Sequence, residues 1–134
     1  MSELPTRPPP LDVETRPFFE AAGEGKLRLP RCEDCDFVIF YPRGRCPACR
    51  SNRTRWTDLS GRGTVYSYTI VRRAPGRWKA HTPYVVAYVE LEEGPRMITN
   101  IIGCDPESVR IGTPVRVQFE TAEDGQAIPR FTPA

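Results

Sequence analysis

CEDCDFVIFYPRGRCPAC, the stretch at residues 32–49, holds four of the five cysteines of this 134-residue chain in two Cys-x-x-Cys pairs. Each pair can form a tight knuckle that directs two sulfur atoms at one point, and two knuckles complete a tetrahedral four-thiolate site. Residues 37–41 favour an extended chain and residues 42–44 a turn, so the chain can return with the second knuckle. This spacing predicts a zinc ribbon, and its predicted metal ligands are Cys32, Cys35, Cys46 and Cys49.

Other chemistries also use paired cysteines, and two of them conflict with the rest of the sequence. A thioredoxin-like redox pair lies in a βαβ context, which this sequence does not suggest. Structural disulfides need an oxidising compartment, but the N-terminus lacks the apolar segment of a secretory signal. No stretch has the roughly 20 apolar residues of a membrane helix. We therefore expect a cytoplasmic protein that holds a structural metal ion and contacts no membrane, with iron left open beside zinc.

The charge balance argues against a general nucleic-acid binder. The formal net charge is +2 with neutral thiols, so four bound thiolates (−4) and one divalent ion (+2) bring the loaded chain to zero, whereas nucleic-acid binders usually carry a strongly basic face. Five arginines surround the second knuckle and either offset the tetrathiolate charge or form an anion-binding patch: Arg43, Arg45, Arg50, Arg53 and Arg55. The position after each second cysteine favours a left-handed conformation, and Asp36 and Arg50 occupy it instead of glycine.

The N-terminal segment predicts an extended arm followed by a short helix. Four prolines within residues 5–10 fix φ and remove amide donors, which favours a polyproline-like conformation. A helix is expected over residues 17–22, with Thr15 as its N-cap and glycines at its end. So short a helix must pack through its aromatic side chains, Phe18 and Phe19, in the core or at an interface.

From residue 61 onward the sequence predicts β-strands. Five runs with alternating or apolar patterns are separated by turn residues, and Pro129 restricts the last run to an edge. A single helical turn is expected after Asp105, between the third and fourth strands. This order favours a five-stranded OB-fold barrel, with another small barrel or sandwich as the alternative. The expected divisions are an N-terminal arm and helix (1–30), a zinc ribbon (31–60) and the barrel (61–134).

Two further groups could carry chemistry. The loop between the first two barrel strands offers cations for phosphate groups and an aromatic ring for stacking on adenine or another base: Arg72, Arg73, Arg77, Lys79 and Trp78. Coenzyme A and single-stranded nucleic acid would use the same contacts, and a solvated basic loop is the structural alternative. A dyad of Cys104 and His81 is conceivable, but no recognisable nucleophile motif surrounds either residue, and we predict no catalytic residue in this chain.

The chain resembles the zinc-ribbon/OB-fold small subunits of acyl-CoA enzymes, a family long described as a domain of unknown function. The resemblance runs through FFEAAGEGKLRLPRC, the CEDC and CPAC knuckles with FYPRGR before the second, W-x9-YSYTIV, PYVVAYVELEEGPRM and IGTPVRVQFE. It implies a rubredoxin-like ribbon in which the four paired cysteines bind the metal. The resemblance also implies a mainly β chain with a short N-terminal helix and a C-terminal OB-fold.

Such small subunits assemble with thiolase-superfamily enzymes, such as thiolases, acyltransferases or retro-aldol lyases, and the catalytic residues lie in the partner. The resemblance therefore implies a non-catalytic accessory subunit of a hetero-oligomer that contributes to an acyl-CoA channel. Exposed apolar side chains would then form the partner interface, and the candidates are Phe18, Phe19, Phe37 and Phe40. A single-stranded nucleic-acid-binding module is the alternative function.

Overall fold

Two β-sheets and one α-helix make up the fold of residues 3–134, which are the residues described by the computed structural model. The elements in chain order are α1 (Arg16–Gly23), β1 (Arg28–Cys32), β2 (Thr54–Asp58), β3 (Arg62–Val71), β4 (Tyr84–Leu91), β5 (Arg96–Ile101), β6 (Pro114–Thr121) and β7 (Ala127–Pro133). Among these residues, no helix has the length and apolar character that a membrane crossing requires. The division at residues 30 and 60 stays a prediction, and the first two residues of its N-terminal arm lie outside the described range.

Helix α1 forms where the sequence predicts it, but its start differs in one respect. Thr15 stands at the N-cap position without making a capping hydrogen bond. The Thr15 hydroxyl instead donates to Asp12 Oδ1 at 3.0 Å, and the Thr15 amide donates to the same oxygen at 2.9 Å. The helix ends because Gly25 takes φ +77°, and its amide donates to the carbonyl of Ala22 at 3.0 Å.

The two phenylalanines of α1 belong to the core, so their predicted exposure at a partner interface is wrong. Phe18 is 3 % exposed and Phe19 9 % exposed. Phe18 packs edge-on against Phe40 and Tyr41 in the ribbon, with ring centroids 6.2 and 6.3 Å apart. Because one short helix has too few contacts to stay folded alone, its aromatic side chains are used to hold it against the ribbon and the barrel.

The ribbon is built on an antiparallel pair of strands, β1 and β2, that pair from Arg28↔Asp58 to Cys32↔Thr54. The extended segment expected at residues 37–41 contributes only an isolated bridge, between Val38 and Arg31. The chain then leaves the sheet because the rings of Phe40 and Tyr41 turn towards α1. Tertiary packing therefore overrides the local preference of this segment for a full strand.

The C-terminal strands close into a barrel in the order β3-β4-β5-β7-β6, which confirms the predicted five-stranded OB-fold. The expected helical turn is a 3₁₀ turn at Pro106–Ser108, and the Asp105 side chain accepts from the amide of Glu107 at 2.9 Å. The last strand, β7, is not an edge strand, because it pairs with β6 along its length and with β5 at Ile101↔Phe131. Pro129 is tolerated because β7 and β5 pair only at that one position.

A β-bulge in β3 changes which side chains face the interior. The pairing with β4 shifts between Val65 and Ser67, so two residues of β3 oppose one position. Val65 is buried, Tyr66 and Ser67 are exposed, and Tyr68 faces inwards. Strict alternation places Val65 and Tyr68 on opposite faces, and the extra residue at the bulge brings them to the same face. On β4 the alternation holds without interruption, and Val85, Ala87, Val89 and Leu91 are all buried.

We expect Gly63→Ala to destabilise the barrel by about 1–3 kcal/mol, the cost of overpacking a closed site. A Cβ at Gly63 would lie 2.5 Å from the backbone oxygen of Glu90 and 2.8 Å from Cγ1 of Val89. The matched control is Gly23→Ala, where nothing lies within 4 Å and the helical position should gain up to about 1 kcal/mol. Denaturant unfolding measures both changes. Equal stabilities for the two variants would contradict the close approach.

Candidate metal centre

The four predicted ligand cysteines converge at one point between the two knuckles. Their Sγ atoms all lie within 4.8 Å of one another. Across the knuckles, Cys32 Sγ lies 3.5 Å from Cys49 Sγ, and Cys35 Sγ lies 3.6 Å from Cys46 Sγ. The first cysteine of each pair is buried and the second is exposed. The cluster therefore has one face in the protein and one face at the surface.

The two knuckles share one backbone geometry. In each, the carbonyl of the first cysteine accepts from the amide four residues later: Asp36 to Cys32 at 3.0 Å, and Arg50 to Cys46 at 2.9 Å. Asp36 has φ +67° and Arg50 has φ +69°, and no other non-glycine residue among those described has a positive φ. The left-handed conformation expected after each second cysteine is therefore confirmed.

The donor set fits a tetrahedral metal ion. Four sulfurs at about 2.3 Å from zinc stand roughly 3.8 Å from one another in a regular tetrahedron, close to the two distances across the knuckles. A disulfide would require about 2.05 Å between sulfurs, so these side chains are thiols or thiolates. Four protein ligands fill the coordination shell, and an ion held here would stabilise the fold without an open position for substrate.

Without a metal ion, the thiols of the cluster ionise unequally. Burial opposes ionisation of Cys32, but amides of Cys35 and Asp34 outweigh it and lower the pKa of the Cys32 thiol to about 7. The Phe37 amide favours the Cys35 thiolate, yet burial and the neighbouring Cys46 sulfur outweigh it and raise the pKa of Cys35 to about 12. A bound cation must therefore displace protons before four thiolates can share this space.

We expect Arg50→Gly to stabilise the metal-loaded chain by up to about 1 kcal/mol, because glycine adopts a left-handed conformation without the Cβ penalty. The matched control is Asp36→Gly at the equivalent position of the first knuckle, where the gain should be smaller. Aspartate tolerates this conformation better than arginine does, and Asp36 Oδ2 also pairs with Arg31 Nη1 at 3.2 Å. Guanidinium unfolding of the loaded proteins measures the change, and a loss of stability in Arg50→Gly would refute the argument.

Four of the five arginines near the second knuckle make no ion pair among the described residues: Arg43, Arg45, Arg50 and Arg55. The fifth, Arg53, lies between two carboxylates, 3.5 Å from Glu33 Oε2 and 3.7 Å from Asp34 Oδ1. The unpaired four are compatible with offsetting the charge of a tetrathiolate and equally with an anion-binding patch.

The basic loop after β3 does not gather its cations at Trp78. Arg72 pairs with Glu107 and Arg77 with Glu123, each with 2.7 Å between nitrogen and oxygen. The Trp78 ring packs on Tyr84 with centroids 4.7 Å apart. Both rings line an apolar groove of about 360 Å³ on the barrel, and none of the four loop cations lines it.

His81 and Cys104 line the same cavity, of about 420 Å³, which Leu4 of the N-terminal arm also lines. No hydrogen bond joins the two side chains within residues 3–134, so the structure brings the residues of the conceivable dyad together without assembling it. A cysteine nucleophile needs a positioned base.

One buried feature was missed by the sequence analysis. Arg130 on β7 donates from Nη1 to Glu120 Oε1 on β6 at 2.6 Å, with both side chains 3 % exposed or less. The only sign of this buried ion pair in the sequence is that a charged residue stands between Pro129 and Phe131 in an otherwise apolar run. A charge in such a run is usually exposed, and its burial depends on a partner from another strand.

Two family models match the chain in the order of its two sheets. The ChsH2 rubredoxin-like zinc ribbon domain matches residues 19–54, and the ChsH2 C-terminal OB-fold domain matches residues 56–120. A solved structure described as the Ltp2-ChsH2(DUF35) aldolase contains a chain that superposes with a TM-score of 0.84. That chain is 35 % identical, and the match covers 94 % of this chain and 98 % of that one.

Three curated relatives illustrate the range of named roles. A DUF35 domain-containing scaffold protein of Methanocaldococcus jannaschii is 44 % identical over 98 residues, covering 71 % of this chain and 69 % of that protein. The probable enoyl-CoA hydratase alpha subunit of Thermomonospora curvata is 37 % identical over 126 residues, 94 % of this chain but 39 % of that subunit. The benzoylsuccinyl-CoA thiolase subunit BbsA of Thauera aromatica is 27 % identical over 128 residues, covering 93 % of this chain and 87 % of BbsA.

Proposed function

Because this chain belongs to the DUF35 family, whose members join a ChsH2-type zinc ribbon to an OB-fold, we propose that it is an accessory subunit of a thiolase-superfamily enzyme. That enzyme would act on acyl-CoA thioesters. The observation that carries the proposal is the match of ribbon and barrel together, over nearly the full length of a chain within an aldolase complex. The name of the thiolase subunit supports the same class of partner, and the name of the hydratase subunit supports acyl-CoA as the class of substrate.

Zinc is the ion we propose for the metal centre, with Cys32, Cys35, Cys46 and Cys49 as its ligands. The ion would hold the two knuckles together and take no part in the reaction, since four thiolates leave no coordination position for substrate. We place the protein in the cytoplasm, because four thiols stay reduced there.

The partner interface, in this proposal, includes the surface of the ribbon beside α1. Phe37 is 42 % exposed and Tyr41 44 % exposed, and Phe40 lies between them in the sequence, partly buried. Aromatic side chains at this exposure are enriched in protein interfaces because they bury a large area on docking. We therefore retain Phe37 and Phe40 as candidates and add Tyr41.

The loop after β3 would border an acyl-CoA channel shared with the partner. Trp78 offers a ring for the adenine. With Arg72 and Arg77 held by carboxylates, Arg73 and Lys79 are the loop cations left for the phosphates, because neither makes an ion pair among the described residues.

Co-purification of the tagged chain from its native host, with identification of the companion, tests the proposal. We expect a thiolase-like or aldolase-like subunit, and its loss in the variant Phe37→Ser/Tyr41→Ser. The matched control is Ile111→Ser on the barrel, because Ile111 is 71 % exposed but lies outside the proposed interface. All three proteins should keep their metal content. A lone chain that binds single-stranded oligonucleotides with steep salt dependence would support the alternative function instead.

A further inference from the structure

The N-terminal arm is held by the one buried arginine of the barrel. Beyond its bond to Glu120, Arg130 Nη1 donates to Thr6 Oγ1 at 2.9 Å, and Nη2 donates to the carbonyl oxygen of Pro5 at 2.8 Å. Both acceptors lie more than 120 residues away along the chain. The buried guanidinium therefore donates hydrogen bonds to one backbone carbonyl and one hydroxyl group of an extended segment.

The chemistry of this site selects a neutral peptide and not an anion. Glu120 lies 2.6 Å from Arg130 Nη1 and already balances the guanidinium charge, and with the arm in place both side chains are 3 % exposed or less. Adding a phosphate or carboxylate would leave a net negative charge in the interior, which is costly. The remaining donors instead suit uncharged acceptors, such as the carbonyl and hydroxyl oxygens of an extended peptide.

The arm has the properties of a ligand for such a site. Its four prolines at positions 5, 8, 9 and 10 restrict the free chain to extended conformations, so little entropy is lost on docking. Gln126 Nε2 adds a long contact to the carbonyl of Pro9 at 3.5 Å. At the other end, Leu4 reaches the cavity that holds His81 and Cys104.

We propose that Arg130 and its surroundings form a peptide-binding site for a proline-rich segment, and that residues 3–9 of the same chain fill it as a releasable strap. The site lies on the barrel, away from the metal centre, and the inference does not depend on the identity of a partner enzyme. Release of the strap removes Leu4 from the wall of the cavity and increases access to the Cys104 thiol.

Alkylation of Cys104 in the full-length chain tests the strap, with the modified residue identified by mass spectrometry so that the ribbon cysteines do not contribute. The variant Leu4→Gly/Pro5→Gly/Thr6→Gly loses the apolar contact, the hydroxyl and the conformational restriction. We expect Cys104 in this variant to react several-fold faster than in wild type, because the partly exposed thiol becomes more accessible when Leu4 leaves the wall of the cavity. The matched control is Arg7→Gly, an exposed arm position, which should react at the wild-type rate.

Adding the strap back as a peptide tests the site itself. A synthetic peptide of residues 3–11, at millimolar concentration to match the effective concentration of a tethered segment, should restore slow alkylation of the triple-glycine variant. The same peptide with Thr6→Ala should protect less.

The full-length variant Glu120→Leu/Arg130→Met keeps an apolar pair in the barrel, and here Cys104 should react fast with or without peptide. Equal alkylation rates in wild type and the triple-glycine variant would overturn the strap. Peptide protection that persists without Arg130 would overturn the assignment of the site.

Discussion

Removal of the metal ion is expected to unfold the ribbon while the barrel stays folded. The core that belongs to the ribbon alone consists of Cys32, Ile39 and Cys46, and two of these three residues are proposed metal ligands. An apolar cluster of this size cannot offset the conformational entropy of the surrounding loops. Binding of a structural zinc ion contributes on the order of 10 kcal/mol to such a segment, so its loss leaves the knuckles without their main source of stability.

Amide hydrogen exchange on the reduced protein, with and without a chelator, measures this effect region by region. Residues 33–53 should lose protection, whereas the barrel strands β4 and β5 should keep it, since their core cluster contains none of the four ligand cysteines. Cys46→Ser should give the unprotected pattern without chelator, and Cys104→Ser, the matched control outside the cluster, should bind metal and exchange as wild type. Ribbon amides that stay protected in metal-free, reduced protein would refute a structural metal.

The parts of the fold that the sequence predicted correctly depend on local chemistry. A Cys-x-x-Cys pair forms its knuckle from a few consecutive residues, so spacing alone indicates that Cys32 and Cys46 begin equivalent turns. The left-handed residues at Asp36 and Arg50 follow from the same local geometry. In β4, one face is buried along the whole strand, and alternation therefore identifies its core residues.

The predictions that failed depend on contacts between distant parts of the chain. Residues 37–41 favour an extended conformation, but the rings of Phe40 and Tyr41 pack on α1 and end the pairing with β1. Phe18 was expected to be exposed, but its exposure depends on what packs against α1. The ribbon packs there and buries the Phe18 ring. In β3 the bulge at Tyr66 is set by pairing with β4, and a single-strand pattern contains no sign of the extra residue.

The site of the N-terminal arm illustrates the same limit more strongly. Prolines at positions 5–10 indicate an extended arm, but nothing in them specifies where it lies. The contact depends on Arg130, more than 120 residues away, and the burial of Arg130 depends on Glu120 in the neighbouring strand. The place where the arm docks can therefore be identified only when the arm, β6 and β7 are seen together in the structure.

Breaking the buried ion pair is expected to cost more stability than any other single change among the described polar contacts. In Glu120→Leu the guanidinium of Arg130, only 3 % exposed, is left in the interior without its counter-charge. Removal of one partner from such a pair typically costs about 3–5 kcal/mol, most of it the penalty of the uncompensated charge. The contacts to Pro5 and Thr6 do not compensate, because neither acceptor carries a charge.

The double variant Glu120→Leu/Arg130→Met separates this penalty from the value of the pair, since well-packed apolar replacements of buried ion pairs are often neutral. We expect it to recover most of the stability lost in Glu120→Leu, as measured by guanidinium unfolding of the metal-loaded chain. The matched control is Glu92→Leu, because Glu92 pairs with Arg62 at 3.2 Å with both side chains more than half exposed, and such an exposed pair contributes little to stability. If Glu120→Leu cost no more than Glu92→Leu, water would have to reach Arg130, and neither the buried pair nor the peptide-selective site could be maintained.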